Sequence, residues 1–265
     1  MVIVSGGGNG FTGFVLTNYG TVNWSNTPIY GVNAANAQIY NYGLWNSQSD
    51  DEFLGGNNGG TTLFDNFGTF RKSAGSGATT LDASIVFNNP GTLDAQTGTL
   101  SLTGSYNLAG GTVNFGINSL ASYGQIFLSG NPAALTGTLS ANLNGGYVPL
   151  VNDAFQVLNF ASSSGIFTHT SLPPAANWQT AYNPANVTIS VLSLTPVLQI
   201  APSLPNVIIF WTTNASGNAL KQTPSLAPPI TWSPVTNSIT VIGSNNTVTI
   251  DATNAAKYYE LIGSP

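Results

Sequence analysis

Apolar and polar residues along the first hundred positions fall into a pattern that returns four times. Its marker is Asn18-Tyr19-Gly20-Thr21, then Asn41-Tyr42-Gly43-Leu44, Asn66-Phe67-Gly68-Thr69 and Asn89-Pro90-Gly91-Thr92, at steps of 23, 25 and 23 residues. Aligned on the Asn, the column two residues before it reads Leu16, Ile39, Phe64 and Phe87, and the column four after it reads Val22, Trp45, Phe70 and Leu93. The flanking columns are mostly polar, with Thr17, Tyr40, Asp65 and Asn88 on one side and Asn23, Asn46, Arg71 and Asp94 on the other. Alternation with period two belongs to strands that bury one face. A near-constant repeat of this length belongs to a solenoid, in which each coil buries its apolar face only by stacking on the next. The same parity turns the Asn inward, where stacked amides would satisfy one another as an Asn ladder. The Gly two positions later is read as the residue that allows the bend. One column breaks the rule: Val15, Gln38, Leu63 and Val86 should face outward yet are largely apolar, which calls for a local bulge or a covering surface.

A fifth, less regular turn follows, with corners at Gly104-Ser105-Tyr106 and Gly110-Gly111, and the period is lost from about Gln125. The next stretch carries Gly137-Thr138-Leu139, Gly146-Tyr147-Val148-Pro149, Asp153-Ala154-Phe155-Gln156-Val157-Leu158, Gly165-Ile166-Phe167, Trp178-Gln179-Thr180-Ala181-Tyr182 and Val187-Thr188-Ile189-Ser190-Val191. In these residues the chain resembles the end of bacterial autotransporter-like, pectin-lyase-like parallel β-helix passengers. The resemblance implies a surface or secreted solenoid with a capped end and brings no catalytic residues with it. No membrane-embedded barrel pattern follows.

Beyond a Pro-rich linker, seven short apolar runs between Val197 and Ile262 are separated by Pro, Gly and Asn turns, the pattern of a small β-sandwich of immunoglobulin or fibronectin-III type. Trp211, Trp232 and Tyr258-Tyr259-Glu260-Leu261 make it similar to C-terminal domains that follow solenoids in secreted bacterial proteins, with Glu260 standing where Arg is usual. The expected organisation is all-β: solenoid coils over 1–125, a cap segment over 126–194 and a sandwich over 195–265.

Charge changes the picture more than any motif. Only 5% of the 265 residues are charged, four basic against nine acidic, for a net charge of −5. Nucleic acid is thereby excluded as a partner, since phosphate binding needs clustered Lys and Arg, and a membrane surface for the same reason. No apolar run reaches the ~18 residues of a membrane span. Cys is absent, which excludes disulfides and thiolate metal sites. Met1-Val2-Ile3-Val4-Ser5-Gly6 shows no signal-peptide pattern, so secretion would imply a leader already removed or a start inside a longer protein.

β-Helices also host glycan-cleaving enzymes, which need carboxylates converging from neighbouring coils. Asp65, Asp82 and Asp94 stand at different phases of the repeat, and Arg71 and Lys72, being adjacent, point to opposite faces. The single histidine, His169, has no nucleophile beside it and reads as an exposed strand residue. Asp50-Asp51-Glu52 reads as a solvated loop, with a calcium loop as its alternative. Trp24, Trp45 and Phe70 share inward parity and read as core rather than as a sugar-stacking platform. The sequons at Asn23, Asn186, Asn214 and Asn245 are expected by chance in a chain so rich in Asn and Thr. No catalytic, cofactor-binding or metal-binding residue is therefore assigned, and no cofactor.

The expected function is an extracellular structural or adhesive protein without catalysis, self-associating end to end into a fibre. Residues 2 to 24 carry neither charge nor proline to guard an open strand edge. The alternative is a module that binds cell-surface or matrix polysaccharide, and a polysaccharide-degrading enzyme comes third.

Overall fold

The computed structural model describes residues 2–3, 9–11, 13–32, 36–57, 59–213, 218–252 and 256–263. The sequon at Asn214 lies outside them. All regular structure among these residues is strand, and the chain forms two compact units, one of Met1–Pro173 with Trp178–Val191 and the other of Pro174–Asn177 with Leu192–Pro265.

The first unit is a parallel β-solenoid of about five turns. Each turn visits three sheets in order. The repeat motif sits where a strand of the third sheet (Val15–Asn18, Ala37–Asn41, Thr62–Asn66, Ile85–Asn88) hands over to a strand of the first (Thr21–Trp24, Leu44–Ser47, Thr69–Lys72, Thr92–Ala95). The second sheet follows with Ile29–Val32, Glu52–Asn57, Ala78–Leu81 and Thr99–Leu102. The apolar columns stack in unbroken register: Leu16, Ile39, Phe64 and Phe87 continue to Tyr106, and Val22, Trp45, Phe70 and Leu93 continue to Val113 and Leu139. Most of these side chains are fully buried, each contributing about 1.5–3 kcal/mol. Trp24 closes its indole N–H on the Thr27 carbonyl at 2.6 Å, whereas the indole N–H of Trp45 is buried without a partner.

The Asn ladder forms. Nδ2 of Asn18, Asn41 and Asn66 donates to Oδ1 of Asn41, Asn66 and Asn89 at 2.7, 2.7 and 2.6 Å. The second hydrogen of each amide goes to a backbone carbonyl of the next coil, Leu44, Thr69 or Thr92. At the first rung no earlier coil among the described residues is paired with Val15–Asn18, and Asn18 Oδ1 accepts the Gly20 N–H at 3.1 Å.

Two expectations about this corner need correction. The glycines at 43, 68 and 91 are required by close approach and not by a special bend: a Cβ on each would lie 2.0–2.2 Å from the carbonyl oxygen of the glycine one coil earlier, and none has a positive φ. The column Val15, Gln38, Leu63 and Val86 does face outward, and it needs no bulge, since its register is continuous; Val15 is exposed and the stacked neighbours half-cover the others.

Parallel pairing also runs on past Gln125. Gln125–Leu128 and Ala154–Phe160 extend the second sheet, Thr112–Ser119, Thr138–Leu143 and His169–Ser171 extend the first, and the second sheet then closes antiparallel with Asn186–Leu194 and Ala176–Asn183. The closing motif acts as a clasp: the Tyr147 hydroxyl donates to Asp153 Oδ2, which also accepts the Leu150 N–H at 2.7 Å. Burial and then the Asp153 carboxylate push the Tyr147 pKa up to about 12.

Among its described residues the second unit holds seven strands in two antiparallel sheets, one with the order Gln199–Ser203, Asn206–Thr212, Asn245–Asp251, Thr240–Ile242 and the other with the order Ser233–Pro234, Asn218–Thr223, Tyr258–Gly263. Ile209, Trp211, Val248 and Ile250 from one sheet meet Leu220 from the other in a small core. Trp232 is half-buried outside that core, and the expected strand around it shrinks to Ser233–Pro234.

Candidate functional site

The outward column of the first sheet runs Asn23, Asn46, Arg71, Asp94, Asn114 and Ser140, one residue per coil. Two local departures from the repeat raise walls at the corner that follows this column. The corner Ser73–Ser76 stands one coil before Asp94, and the longer strand Thr112–Ser119, folded back antiparallel on Ser122–Tyr123, stands one coil after it. Between them, over Gln96 and Thr97, lies an open groove of about 790 Å³ lined by amides, hydroxyls and one ion pair.

Asp94 is the hub of its floor. The side chain is 2% exposed, and its carboxylate is filled by protein donors: Arg71 Nε on Oδ2 at 2.6 Å, with Asn114 Nδ2 at 2.8 Å and Gln96 Nε2 on Oδ1. The Gln96 amide in turn takes Asn144 Nδ2 at 2.9 Å and exchanges bonds with Asn142, while Asn118 Nδ2 donates to the Gln96 carbonyl at 2.9 Å. The network therefore preorganises the floor and hides its only negative charge. The Arg71 side chain is 41% exposed, so one partner of the pair is in water and the other beneath the amides.

The remaining candidates lie elsewhere. Asp65 stands outside the third sheet and accepts from Asn88 at 2.7 Å; Asp82 follows a second-sheet strand and accepts the N–H groups of Gly55 and Ser84 at 2.9 Å. With Asp94 on the first sheet, the three aspartates share no face. His169 is exposed on the last strand of the first sheet. Asp50 and Asp51 are not a free solvated loop. Asp50 accepts the Lys72 ammonium at 2.6 Å and the Gly77 N–H at 2.9 Å, and Asp51 accepts the Thr27 N–H at 3.1 Å. Burial opposes the Asp50 charge, but the Lys72 hydrogen bond and the Gly77 and Ser76 N–H groups outweigh it and hold its pKa below the ordinary value. Among the described residues no group of three potential metal ligands comes together.

Trp24, Trp45 and Phe70 are fully buried core. A different aromatic row is exposed. Tyr19, Tyr42 and Phe67, the middle residues of the repeat motif, stack in parallel at 5.1 and 4.8 Å on the outer corner. Because neighbouring rings cover one another's faces, both faces of Tyr42 are taken, and Tyr19, 78% exposed, and Phe67, 45% exposed, stand at the two ends of the row. The row is a corner brace built on the ladder.

Sequence reasoning missed Gln96, Asn118, Asn142 and Asn144 because they lie outside the aligned columns. The one available signal was the clustering of Asn in the fifth, less regular turn and in the strand after it, and it did not reach Gln96.

No family model and no curated protein matches the sequence.

Proposed function

We propose that the chain is a non-catalytic extracellular structural and adhesive protein, a secreted solenoid of the autotransporter-like passenger kind that holds a ligand in the first-sheet groove. The observation that carries this reading is the state of Asp94. A glycan-cleaving site needs a carboxylate free to exchange a proton or to attack, with a second one facing it. In this groove the single carboxylate is buried and engaged by three protein donors, while the walls around it are open and polar. Such a surface is suited to binding and has no acid or base to offer.

The test is a paired assay on a polysaccharide panel, scoring retention on immobilised glycan and release of reducing ends. Retention without release is expected. Release that disappears in Asp94→Asn would overturn the reading in favour of an enzyme.

Self-association belongs to the same proposal. The strands Val2–Ile3, Asn9–Phe11 and Val15–Asn18 are the outermost of their sheets and carry no charged residue, whereas the other end of the second sheet is closed by antiparallel strands. Unguarded edges recruit strands, and unlike ends in contact propagate as filaments. Electron microscopy of concentrated protein is expected to show filaments. Strictly monomeric particles would leave an adhesive rod without a fibre.

A further inference from the structure

Resting on the binding reading of the groove, we propose that its ligand is an uncharged polysaccharide, a polymer of neutral sugar units.

The first ground is hydrogen-bond chemistry. A side-chain amide presents a donor and an acceptor side by side, whichever way it is turned. Asn114 has given both its hydrogens to Asp94 and Asn142 and keeps its oxygen, while Asn118 and Asn144 each keep one hydrogen beyond the one given to Gln96; with the hydroxyls of Ser76, Thr97 and Ser122 they offer the groove a mixed field of both kinds. A sugar hydroxyl, itself donor and acceptor, matches that field everywhere. A carboxylate, sulfate or phosphate only accepts, so it could use the hydrogens of that field but would leave its oxygens, Asn114 Oδ1 among them, without a donor.

Charge is the second ground. The groove's one cation, Arg71, has its compensating Asp94 at 2.6 Å, so the pair sums to zero, and the chain as a whole is negative. An anionic polymer would have to exchange hydration for a guanidinium that is already paired, inside a field that repels it. Nucleic acid meets the same objection.

The third ground is size. The volume of the groove, about 790 Å³, lies within the usual range of ligand sites of about 300–1,000 Å³ and leaves room for more than a single ring, so affinity should climb with chain length until the groove is filled.

The experiment is calorimetric titration of the full chain with neutral gluco- and manno-oligosaccharides of increasing length, and with oligogalacturonate as the acidic arm, each at low and high salt. Neutral oligomers are expected to bind, more tightly as they lengthen and with little response to salt. Asn118→Ala and Asn144→Ala are each expected to weaken binding by about 3- to 10-fold, the effect of one lost hydrogen bond. Thermal melting of both variants should stay near that of the parent, which separates a lost contact from a lost fold. Arg71→Gln is expected to weaken neutral binding by no more than about tenfold. Tight oligogalacturonate binding that salt or Arg71→Gln abolishes would overturn the neutral-ligand inference while leaving the binding reading intact. Neutral binding indifferent to both Asn variants would place the ligand elsewhere and overturn the inference as well. Failure of every glycan to bind would overturn the inference and the groove's adhesive role together.

Discussion

At the corner between the third and first sheets the solenoid buries four neutral amides, one per coil, each the partner of the next. At the following corner, between the first and second sheets, it buries a single lysine. Lys72 is 0% exposed, and its ammonium is surrounded by Asp50 Oδ1 at 2.6 Å, the carbonyls of Ala74 and Ser49 at 3.0 and 3.1 Å, and the Thr79 hydroxyl at 3.2 Å. Both corners solve the same problem, that an unpaired polar group in the interior costs free energy. The first solution is repeated and draws on identical neighbours. The second occurs once, in an inward column where the coils on either side place Ser47 and Ala95. A repeated solution spreads any single loss over its neighbours, while a solitary charge depends on one counter-ion.

The largest effect should therefore come from Asp50→Ala. It strands the Lys72 charge in the interior, and chemical denaturation is expected to show a loss of about 3–5 kcal/mol. Lys72→Met is expected to cost less, because Asp50 is 39% exposed on its side chain and can turn to water. Comparable losses in the two variants would break the contrast between the corners. The acid limb sharpens it. The folded Asp50 pKa lies below its unfolded value, so the stabilisation is present above about pH 4 and disappears as pH falls through the folded pKa. Denaturant midpoints measured from pH 6 to pH 2 should fall less steeply in Asp50→Ala than in the parent.

Next in size is the ladder. Asn66→Ala leaves Asn89 Oδ1 without its donor and is expected to cost about 1–3 kcal/mol, since Asn41 keeps the Thr69 carbonyl. A loss as large as that of Asp50→Ala would show that the rungs do not share the load. Gly68→Ala, whose Cβ would fall 2.1 Å from the Gly43 carbonyl oxygen, is expected to cost a similar 1–3 kcal/mol in thermal or denaturant melts. The smallest effect belongs to Arg71 and Asp94. With one partner buried and the other in water, a double-mutant cycle should return a coupling of about 1–2 kcal/mol.

The contrast also explains what could be read from the chain. The columns of Leu16 and Val22 and the Asn ladder were legible because a periodic structure writes the same requirement at every coil, and a few copies suffice to see it. The glycine column was visible for the same reason, although its cause was not: the collision it avoids is with the backbone of another coil. The Lys72 cage was half legible, since parity placed Lys72 opposite to Arg71, but nothing in sequence linked it to Asp50, 22 residues earlier in a loop that read as solvated. The groove was the least legible. Its walls come from insertions into the repeat, the corner Ser73–Ser76 and the hairpin after Thr112–Ser119, and insertions have no column to be read in. In the second unit, alternation located most strands, while Trp232 shows that an aromatic residue between turns does not by itself mark a core.

The ladder has a direction. Every Asn in it donates toward the higher-numbered coil, all but Asn18 accept from the lower, and the carbonyls of Leu44, Thr69 and Thr92, which only accept, forbid any of the first three amides from turning over alone. Four small dipoles thus point one way along the axis, with an oxygen end at Asn18 and a nitrogen end at Asn89, as in a row of compass needles that can reverse only together. Asn66→Asp would put an acceptor-only group against Asn89 Oδ1 and should cost more than Asn66→Ala, a ranking that denaturation can check. Copies stacked coaxially with their ladders in line would keep that alignment only head to tail. Such a fibre would inherit its polarity from a side chain.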